Sequence, residues 1–293
     1  MRLFTATAAT DEAFVLGEGP VWDAVRRRLL WVDIAAGQVL EGALDGPEIR
    51  VAARHQFSGF VGAVSIDEAG RLLVATQERL VVIDVGGART DGARVVPDGE
   101  DRRLNDGKTD PAGRFLVGTR AFGPSVREEL VRIGSDGRVE TIDADLTLSN
   151  GLAWTHDGTR MYSIDTLANT VWVRDYDPMT GAHGARRVHL RIIEGYPDGM
   201  CSDAEDHLWI AIWGGGQVRR FDPDGVLVAV VSVDAPHTTS VAFAGPHLDT
   251  LVITTATDEL TARQLVDYPD SGRVFIARVD VTGAPVVPWD PTA

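Results

Sequence analysis

The sequence contains a single cysteine, Cys201, among its 293 residues. An intrachain disulfide is therefore impossible, which excludes the disulfide framework of many small secreted proteins. Basic residues are also scarce, since 28 Lys and Arg stand against 43 Asp and Glu and give a formal net charge of −15. Nucleic acids and anionic membranes bind basic patches, so this charge balance predicts no nucleic-acid partner and no membrane partner.

Long hydrophobic runs are absent as well. No stretch approaches the ~18 apolar residues of a membrane-spanning helix. The apolar residues at the N-terminus are too few for a signal peptide, because Asp11 and Glu12 follow them at once. We therefore expect a cytoplasmic protein. Two catalytic patterns are missing too: Gly214–Gly216 lacks the lysine and helix of a phosphate-binding loop, and no serine lies in a nucleophile elbow.

The sequence does contain a repeat of short β-rich runs separated by turns. Each unit opens with a glycine, or with a serine in the last unit, and these residues recur at intervals of 43, 45, 44, 48 and 41. The six opening residues are Gly19, Gly62, Gly107, Gly151, Gly199 and Ser240. A second β-rich run follows each opening run, such as Leu208–Ile212 after the acidic turn Asp203–Asp206.

A period of ~40–50 residues with several strands per unit is typical of a β-propeller blade. The six units predict an all-β, six-bladed β-propeller in which residues 1–293 form a single domain. The main alternative, a β-sandwich, gives no reason for a fixed period. We also expect the N-terminal strand, Arg2–Thr7, to join the last blade beside Arg273–Val279 and so close the ring.

The residue before each opening residue has an equivalent place in every blade, at the mouth of the central channel. These residues are Glu18, Val61, Asp106, Asn150, Asp198 and Thr239. Four of them carry carboxylate or amide oxygens, which are the ligands that Ca²⁺, Mg²⁺ and Mn²⁺ prefer. Zinc is less expected because the set contains no His or Cys, although Zn²⁺ also accepts carboxylates. The pattern predicts a divalent metal site at the channel mouth.

An alternative interpretation of each position is a turn, because Asp and Asn before Gly are ordinary turn residues. Asp136, Asp157 and Asp224 are interpreted in that way. Four oxygen-bearing residues in register across separate repeats favour the metal site, since converging carboxylates repel one another unless a cation or proton compensates. His237 is a further candidate for the mouth, and Cys201 is interpreted as a small core residue.

Four motifs resemble those of the SMP-30/gluconolactonase/regucalcin family. They are Leu16–Trp22, Arg103–Arg114, Ser149–Trp154 and Tyr196–Met200, and they follow the family's order over nearly the whole chain. The resemblance implies a six-bladed propeller and a lactonase that hydrolyses a sugar (aldono-) lactone to the sugar acid. It also implies one divalent metal ion as cofactor, whether Ca, Zn, Mn, Mg or Fe. We expect a small-molecule sugar lactone as partner, and a monomer or weak homo-oligomer.

The resemblance also assigns roles to individual residues. The family's metal ligands correspond to Glu18, Asn150 and Asp198, and Asp198 also matches the residue proposed as general base. Arg103 and Asn105 match residues that contact the oxygens of the sugar lactone. Asp106 matches a residue beside the metal and is counted here with the substrate-binding set.

One segment departs from the family's pattern. Vertebrate members carry paired Glu shortly after the strand equivalent to Phe115–Thr119, whereas this chain has Arg120-Ala-Phe-Gly123. A substrate-contacting carboxylate is lost and an arginine, Arg120, is present nearby. Two other functions stay open: a metal-dependent, phosphotriesterase-like hydrolase in which Asp198 attacks phosphorus, and a non-catalytic Ca²⁺-binding or protein-interaction propeller.

Overall fold

The computed structural model describes residues 1–293 and contains 25 strands and one short helix. The strands form six sheets, and each sheet corresponds to one repeat of the sequence. Within a blade, consecutive antiparallel strands run outward from the central channel in chain order. The prediction of a six-bladed β-propeller is therefore confirmed.

Two short strands, β1 (Arg2–Thr5) and β2 (Thr7–Ala8), precede the blades. The first blade consists of β3 (Gly17–Asp23), β4 (Arg28–Asp33), β5 (Gln38–Asp45) and β6 (Glu48–Gln56). The second consists of β7 (Val61–Ile66), β8 (Leu72–Thr76), β9 (Arg79–Ile83) and β10 (Arg89–Arg94). The third consists of β11 (Arg102–Thr109), β12 (Phe115–Ala121), β13 (Glu128–Ile133) and β14 (Val139–Leu146).

The remaining three blades follow the same pattern. The fourth consists of β15 (Ser149–Trp154), β16 (Arg160–Asp165), β17 (Thr170–Asp175) and β18 (Arg187–Arg191). The fifth consists of β19 (Tyr196–Ser202), β20 (Leu208–Trp213), β21 (Gln217–Phe221) and β22 (Leu227–Ser232). The sixth consists of β23 (Thr238–Ala244), β24 (Thr250–Thr255) and β25 (Phe275–Arg278), with the helix α1 (Ala262–Asp267) inserted before β25.

The hydrophobic core is divided among the six interfaces between neighbouring blades. Each of six buried clusters draws its main residues from two adjacent blades, and together they complete the ring. The second strand of a blade is therefore buried on both faces, as in β4, where Leu29–Val32 are fully buried. This explains why these strands read as continuous apolar runs rather than as an alternating pattern. Because the clusters join every blade to the next, we propose that residues 1–293 form one domain.

Each innermost strand carries an irregularity close to its opening residue. In β3 the register shifts between Glu18 and Val21, and the other five innermost strands shift at the corresponding place. A β-bulge bends the strand and re-aims the side chain at that point. The six positions that the repeat predicted therefore share one backbone geometry at the same end of the channel.

The opening glycine of the second blade lies against the third blade with no room for a side chain. A Cβ atom added at Gly62 would lie 2.5 Å from the Asn105 carbonyl oxygen and 2.7 Å from that of Leu104. Both contacts are with backbone, so the blades would have to separate. We expect Gly62→Ala to destabilise the fold by about 1–3 kcal/mol, which thermal or urea unfolding would measure.

Gly123→Ala is the matched control for this substitution. A Cβ atom there would meet no atom within 4 Å, and its backbone does not lie in the left-handed region. We expect a change within about 0.5 kcal/mol for this control. Equal unfolding midpoints for the two variants would show that close approach is not the reason for glycine at position 62.

The N-terminal segment closes the ring differently from the prediction. Thr7 and Ala8 do pair with β25 in the last blade, as expected. Arg2–Thr5, however, adds to the fifth blade as a fifth strand, parallel to β22. The prediction that one continuous strand, Arg2–Thr7, joins the last blade is therefore wrong in its first half. The segment instead links the fifth and sixth blades, which protects the outer edges of both sheets.

Two further features were not predicted from the sequence. The helix α1 begins at a capping box formed by Thr261 and Gln264. It is neither long nor apolar enough to cross a membrane, and no other helix is present. The C-terminal segment Ala284–Val287 lies across the end of the channel opposite the mouth, where it helps to line a cavity of about 350 Å³.

Candidate active site

Three acidic side chains are buried together at the channel mouth. Glu18, Asp106 and Asp198 are 5%, 8% and 6% exposed, respectively, and each lies on the innermost strand of a different blade. Glu18 accepts a hydrogen bond from the backbone N–H of Gly19 at 2.9 Å, and Asp106 accepts one from Gly107 at 2.8 Å. The carboxylate of Asp198 accepts no hydrogen bond from the protein, so its lone pairs are free.

The pKa values of these carboxyl groups are changed by burial and by the charges of the neighbouring acids. Burial raises the pKa of Glu18 well above its usual value, and the charges of Asp198 and Asp106 raise it further. Burial, followed by the charge of Asp106, likewise raises the pKa of Asp198. None of the three forms an ion pair within 4.0 Å of a basic side chain. The more distant charges of Arg103 and Arg120 favour the anionic forms, but the pKa values stay raised. Three buried acids without an ion-pair partner are therefore costly as anions unless a cation lies among them.

An amide network joins the third blade to the fourth, next to Asp106 in the sequence. Asn105 Nδ2 donates to the Asn150 Oδ1 atom at 3.2 Å and to the Ser149 carbonyl oxygen at 2.9 Å. Asn150 Nδ2 donates to Thr166 Oγ1 at 3.0 Å. The Asn150 amide is therefore held in one orientation, with an Oδ1 lone pair still available as a ligand. Asn105 contacts Asn150 and Arg103, which gives it a positioning role in addition to the predicted contact with substrate.

Arg103 is buried beside this network without a carboxylate partner. Its side chain is 2% exposed, and Nη1 donates to the Leu104 carbonyl oxygen at 2.9 Å and to Asn105 Oδ1 at 2.7 Å. Burial, and then the nearby charge of Arg120, lower the pKa of Arg103 to about 9. The guanidinium therefore remains charged at neutral pH. Its Nε and Nη2 atoms donate no hydrogen bond within the protein.

The other two positions of the ring have structural roles. Val61 is fully buried in the core. Thr239 Oγ1 donates to the Gly17 carbonyl oxygen at 2.5 Å, which joins the last blade to the first. The candidate His237 is buried and stacks on Trp213, with ring centroids 3.9 Å apart, while its Nδ1 atom lies 2.9 Å from the Asp258 carbonyl oxygen. The acids whose charges act on His237 are Glu259 and Asp258 rather than those of the mouth, and no contact joins it to the acidic group.

The chain has one lysine, Lys108, and the sequence analysis did not predict that it lies in the central channel. It lies two residues after Asp106 in β11 and lines the channel cavity, where Nζ donates to the Met200 carbonyl oxygen at 2.7 Å. Its charge opposes the effect of burial on the pKa of Asp106. The signal that could have found it is compositional, since every other basic residue of the sequence is arginine or histidine.

A second acidic group lies away from the mouth, at the turn between β19 and β20. It consists of Asp203, Glu205 and His207, whose potential ligand atoms lie within 4.8 Å of one another. Asp203 accepts hydrogen bonds from Trp209 Nε1 at 2.9 Å and Arg220 Nε at 2.8 Å. Arg220 also binds Glu205 at 2.7 Å. These acids already have a cationic partner, so their arrangement stabilises the turn.

The fold and the mouth together define a β-propeller with a buried, oxygen-rich candidate cation site. A family model described as "SMP-30/Gluconolactonase/LRE-like region" matches residues 16–257, and the chain belongs to this family. The matched segment includes the four motifs and every residue of the channel-mouth set. The resemblance inferred from the motifs is confirmed.

Individual relatives cover most of the chain. The chain is 38% identical to the pentonolactonase XacC of Haloferax volcanii, over 86% of this chain and 85% of that protein. It is 35% identical to the 6-deoxy-6-sulfogluconolactonase of Pseudomonas putida, over 95% and 96% of the two chains. Its fold matches the crystal structure of regucalcin from Agrobacterium tumefaciens, described as a calcium-binding protein, with a TM-score of 0.91, 27% identity and 99% coverage of both chains.

Proposed function

We propose that this protein hydrolyses a sugar lactone to the corresponding sugar acid and depends on one divalent cation. The observation that carries the proposal is the group of buried acids at the channel mouth, none of which has a basic partner within 4.0 Å. The names of the two lactonase relatives support the substrate class. The likeness to a regucalcin described as a calcium-binding protein supports a divalent cation such as Ca²⁺.

The residues present fit such a cation. Glu18 and Asp198 offer carboxylate oxygens and Asn150 offers an amide oxygen, a hard donor set suited to Ca²⁺, Mg²⁺ or Mn²⁺. Two of these donors are anionic, which offsets the charge of a dication. Asp198 and Asn150 also keep oxygen lone pairs that no hydrogen bond within the protein uses, so these oxygens can bind a cation. The chemistry that such a cation supplies when bound is polarisation of the lactone carbonyl and a lower pKa of bound water.

The protein's own side chains then have distinct tasks in hydrolysis. Arg103 and Asn105 hold the carbonyl and hydroxyl oxygens of the lactone, with Asp106 beside them, and thereby orient the ring. Asp198 accepts a proton from the attacking water while the water oxygen bonds to the carbonyl carbon. The bond between that carbon and the ring oxygen then breaks, and the proton passes from Asp198 to the released oxygen. The products are one hydroxyl group and one carboxylic acid, which releases its proton to solvent and becomes a carboxylate.

The test is a panel of lactones assayed with purified protein after chelation and after readdition of single cations. We expect hydrolysis of one or more sugar lactones that depends on added cation, after subtraction of spontaneous ring opening. A panel of phosphotriesters distinguishes the phosphotriesterase-like alternative. If saturating cation binds yet leaves every lactone and phosphotriester intact, the non-catalytic Ca²⁺-binding propeller is the better interpretation.

Arg103 provides a separate prediction within this function. We expect Arg103→Met to lower kcat/KM for lactones about 10- to 100-fold, because a charged hydrogen bond to the substrate is lost. Cation affinity measured by calorimetry should hold, since arginine is not a ligand. If the variant loses cation binding and regains full kcat/KM at saturating cation, Arg103 serves the cation site rather than the substrate.

A further inference from the structure

Two arginines face each other at the channel mouth. Arg103 in β11 and Arg120 in β12 are direct cross-strand partners. Side chains of directly opposed residues lie on the same face of a sheet, and like charges placed in this way are destabilising. In agreement with this geometry, the charge of Arg120 contributes, after burial, to a lowered pKa of Arg103. Such a pair is unfavourable in the free protein unless an anion lies between or beside the two guanidinium groups.

The protein itself provides only a weak counter-charge for this pair. Arg103 forms no ion pair, whereas the equally buried Arg174 and Arg220 are paired with Asp143 and Asp203, respectively. Arg120 approaches only Glu259, at 3.9 Å, and both side chains are solvent-exposed, at 36% and 60%. Three acids, Glu18, Asp198 and Asp258, influence Arg103 from beyond ion-pair distance, Glu18 most strongly. A cation bound at the mouth would neutralise the charges of Glu18 and Asp198 and so reduce their attraction for the two arginines.

An apolar wall lies beside Arg103. The Arg103 guanidinium lies 5.6 Å from the centroid of the Phe60 ring, which packs against Phe122 at 5.3 Å. Arg103 uses only Nη1 for hydrogen bonds within the protein, and the one acid near Arg120 is Glu259, at 3.9 Å. Guanidinium groups bind carboxylate, sulfonate and phosphate groups through paired hydrogen bonds.

We propose that Arg120, together with Arg103, binds a negatively charged substituent of the substrate, so that the preferred substrates are sugar lactones carrying a carboxylate, sulfonate or phosphate group. This inference rests on the proposed lactonase function and names the substrate class of the same site. Arg120 is the specificity-determining residue, because Arg103 alone serves any lactone. Glu259 competes with the substrate for Arg120.

The test compares two lactones of the same ring size, D-gluconolactone and D-glucarolactone, which differ at the terminal carbon by an alcohol and a carboxylate. The readout is the ratio of kcat/KM for the charged lactone to that for the neutral one, which is independent of the fraction of active protein. We expect a ratio above one for the parent. Arg120→Met should lower the ratio about 10- to 100-fold, mainly through KM.

Two further variants sharpen the result. Glu259→Gln removes the competing carboxylate and should raise the ratio by up to about fivefold. Arg50→Met, on the outermost strand of the first blade, removes an exposed positive charge away from the channel and should leave the ratio unchanged. An unchanged ratio in Arg120→Met overturns the inference while the lactonase function stands. If the cation-loaded parent hydrolyses neither lactone nor any other member of the panel, the proposed function fails and this inference fails with it.

Discussion

Asp198→Asn is expected to lower kcat for lactone hydrolysis by about 10²–10⁴-fold, the usual contribution of a general base. The substitution keeps the shape of the side chain and an oxygen that can bind a cation. It removes the ionisable oxygen that accepts a proton. The loss should therefore persist at saturating cation, where the weaker affinity of the neutral amide no longer limits the rate. Cation content of the assayed protein, measured by elemental analysis, establishes that the site is loaded.

Asn150→Asp is the matched control variant, because it replaces an amide by a carboxylate among the same proposed ligands. It adds a negative charge, so cation affinity should stay equal or increase, and Asp198 remains available as the base. The new carboxylate loses the hydrogen bond that the Asn150 amide now donates to Thr166. We therefore expect a modest loss of activity, far smaller than that of Asp198→Asn. A loaded Asp198→Asn protein that retains activity within a few-fold of the parent would restrict Asp198 to the role of ligand.

The candidate site could be located from the sequence because a propeller places equivalent residues at equivalent points around its axis. The spacing of the opening residues predicted that Glu18, Asp106, Asn150 and Asp198 lie at the mouth, whereas the choice of three of them as metal ligands came from the family resemblance. The degree of their burial could not be predicted, since it depends on how closely the blades approach one another at the channel. The contact between Asn105 and Asn150 likewise crosses two blades, and a local pattern carries no information about it.

Other features had no sequence signal for physical reasons. Arg103 and Arg120 are 17 positions apart, and their pairing depends on the bulge between Leu104 and Gly107, which shifts the register of β11 against β12. Arg2–Thr5 pairs in parallel with β22. A parallel pair is not joined by a short turn, so the sequence contains no turn motif that would predict the pairing. The helix α1 spans six residues, which is too short for a helical period to be recognised.

Glu18 is the residue through which cation binding and stability should be most clearly linked. We expect Glu18→Gln to weaken cation affinity by about 100-fold or more, because loss of an outer-shell partner alone often costs 10- to 100-fold. The consequence should be visible in thermal unfolding. A cation present at 100 times its dissociation constant stabilises the parent by about 2.7 kcal/mol, or roughly 5–10 °C. The variant should lose most of this shift at the same cation concentration.

The matched control is Glu205→Gln, in the second acidic group. Glu205 is exposed and bound to Arg220, so its substitution removes one negative charge from the chain without touching the mouth. Its thermal shift with cation should equal that of the parent. A lost shift in Glu205→Gln together with a retained shift in Glu18→Gln would move the cation site from the channel mouth to the turn at Asp203.

In the absence of cation the same substitution should have the opposite effect on stability. The pKa of Glu18 is raised in the folded protein, so the folded state holds a proton that the unfolded state releases once the pH exceeds about 4.5. Stability of the chelated parent should therefore fall as the pH rises from that value through the raised pKa, and the whole penalty is present above it. Glu18→Gln cannot ionise and avoids its share of the penalty. In chelator at pH 8 the variant should unfold at a higher temperature than the parent, with a smaller difference at pH 5. Equal pH dependence of the two proteins would mean that Glu18 ionises without cost, and that the carboxylates at the mouth do not need a cation.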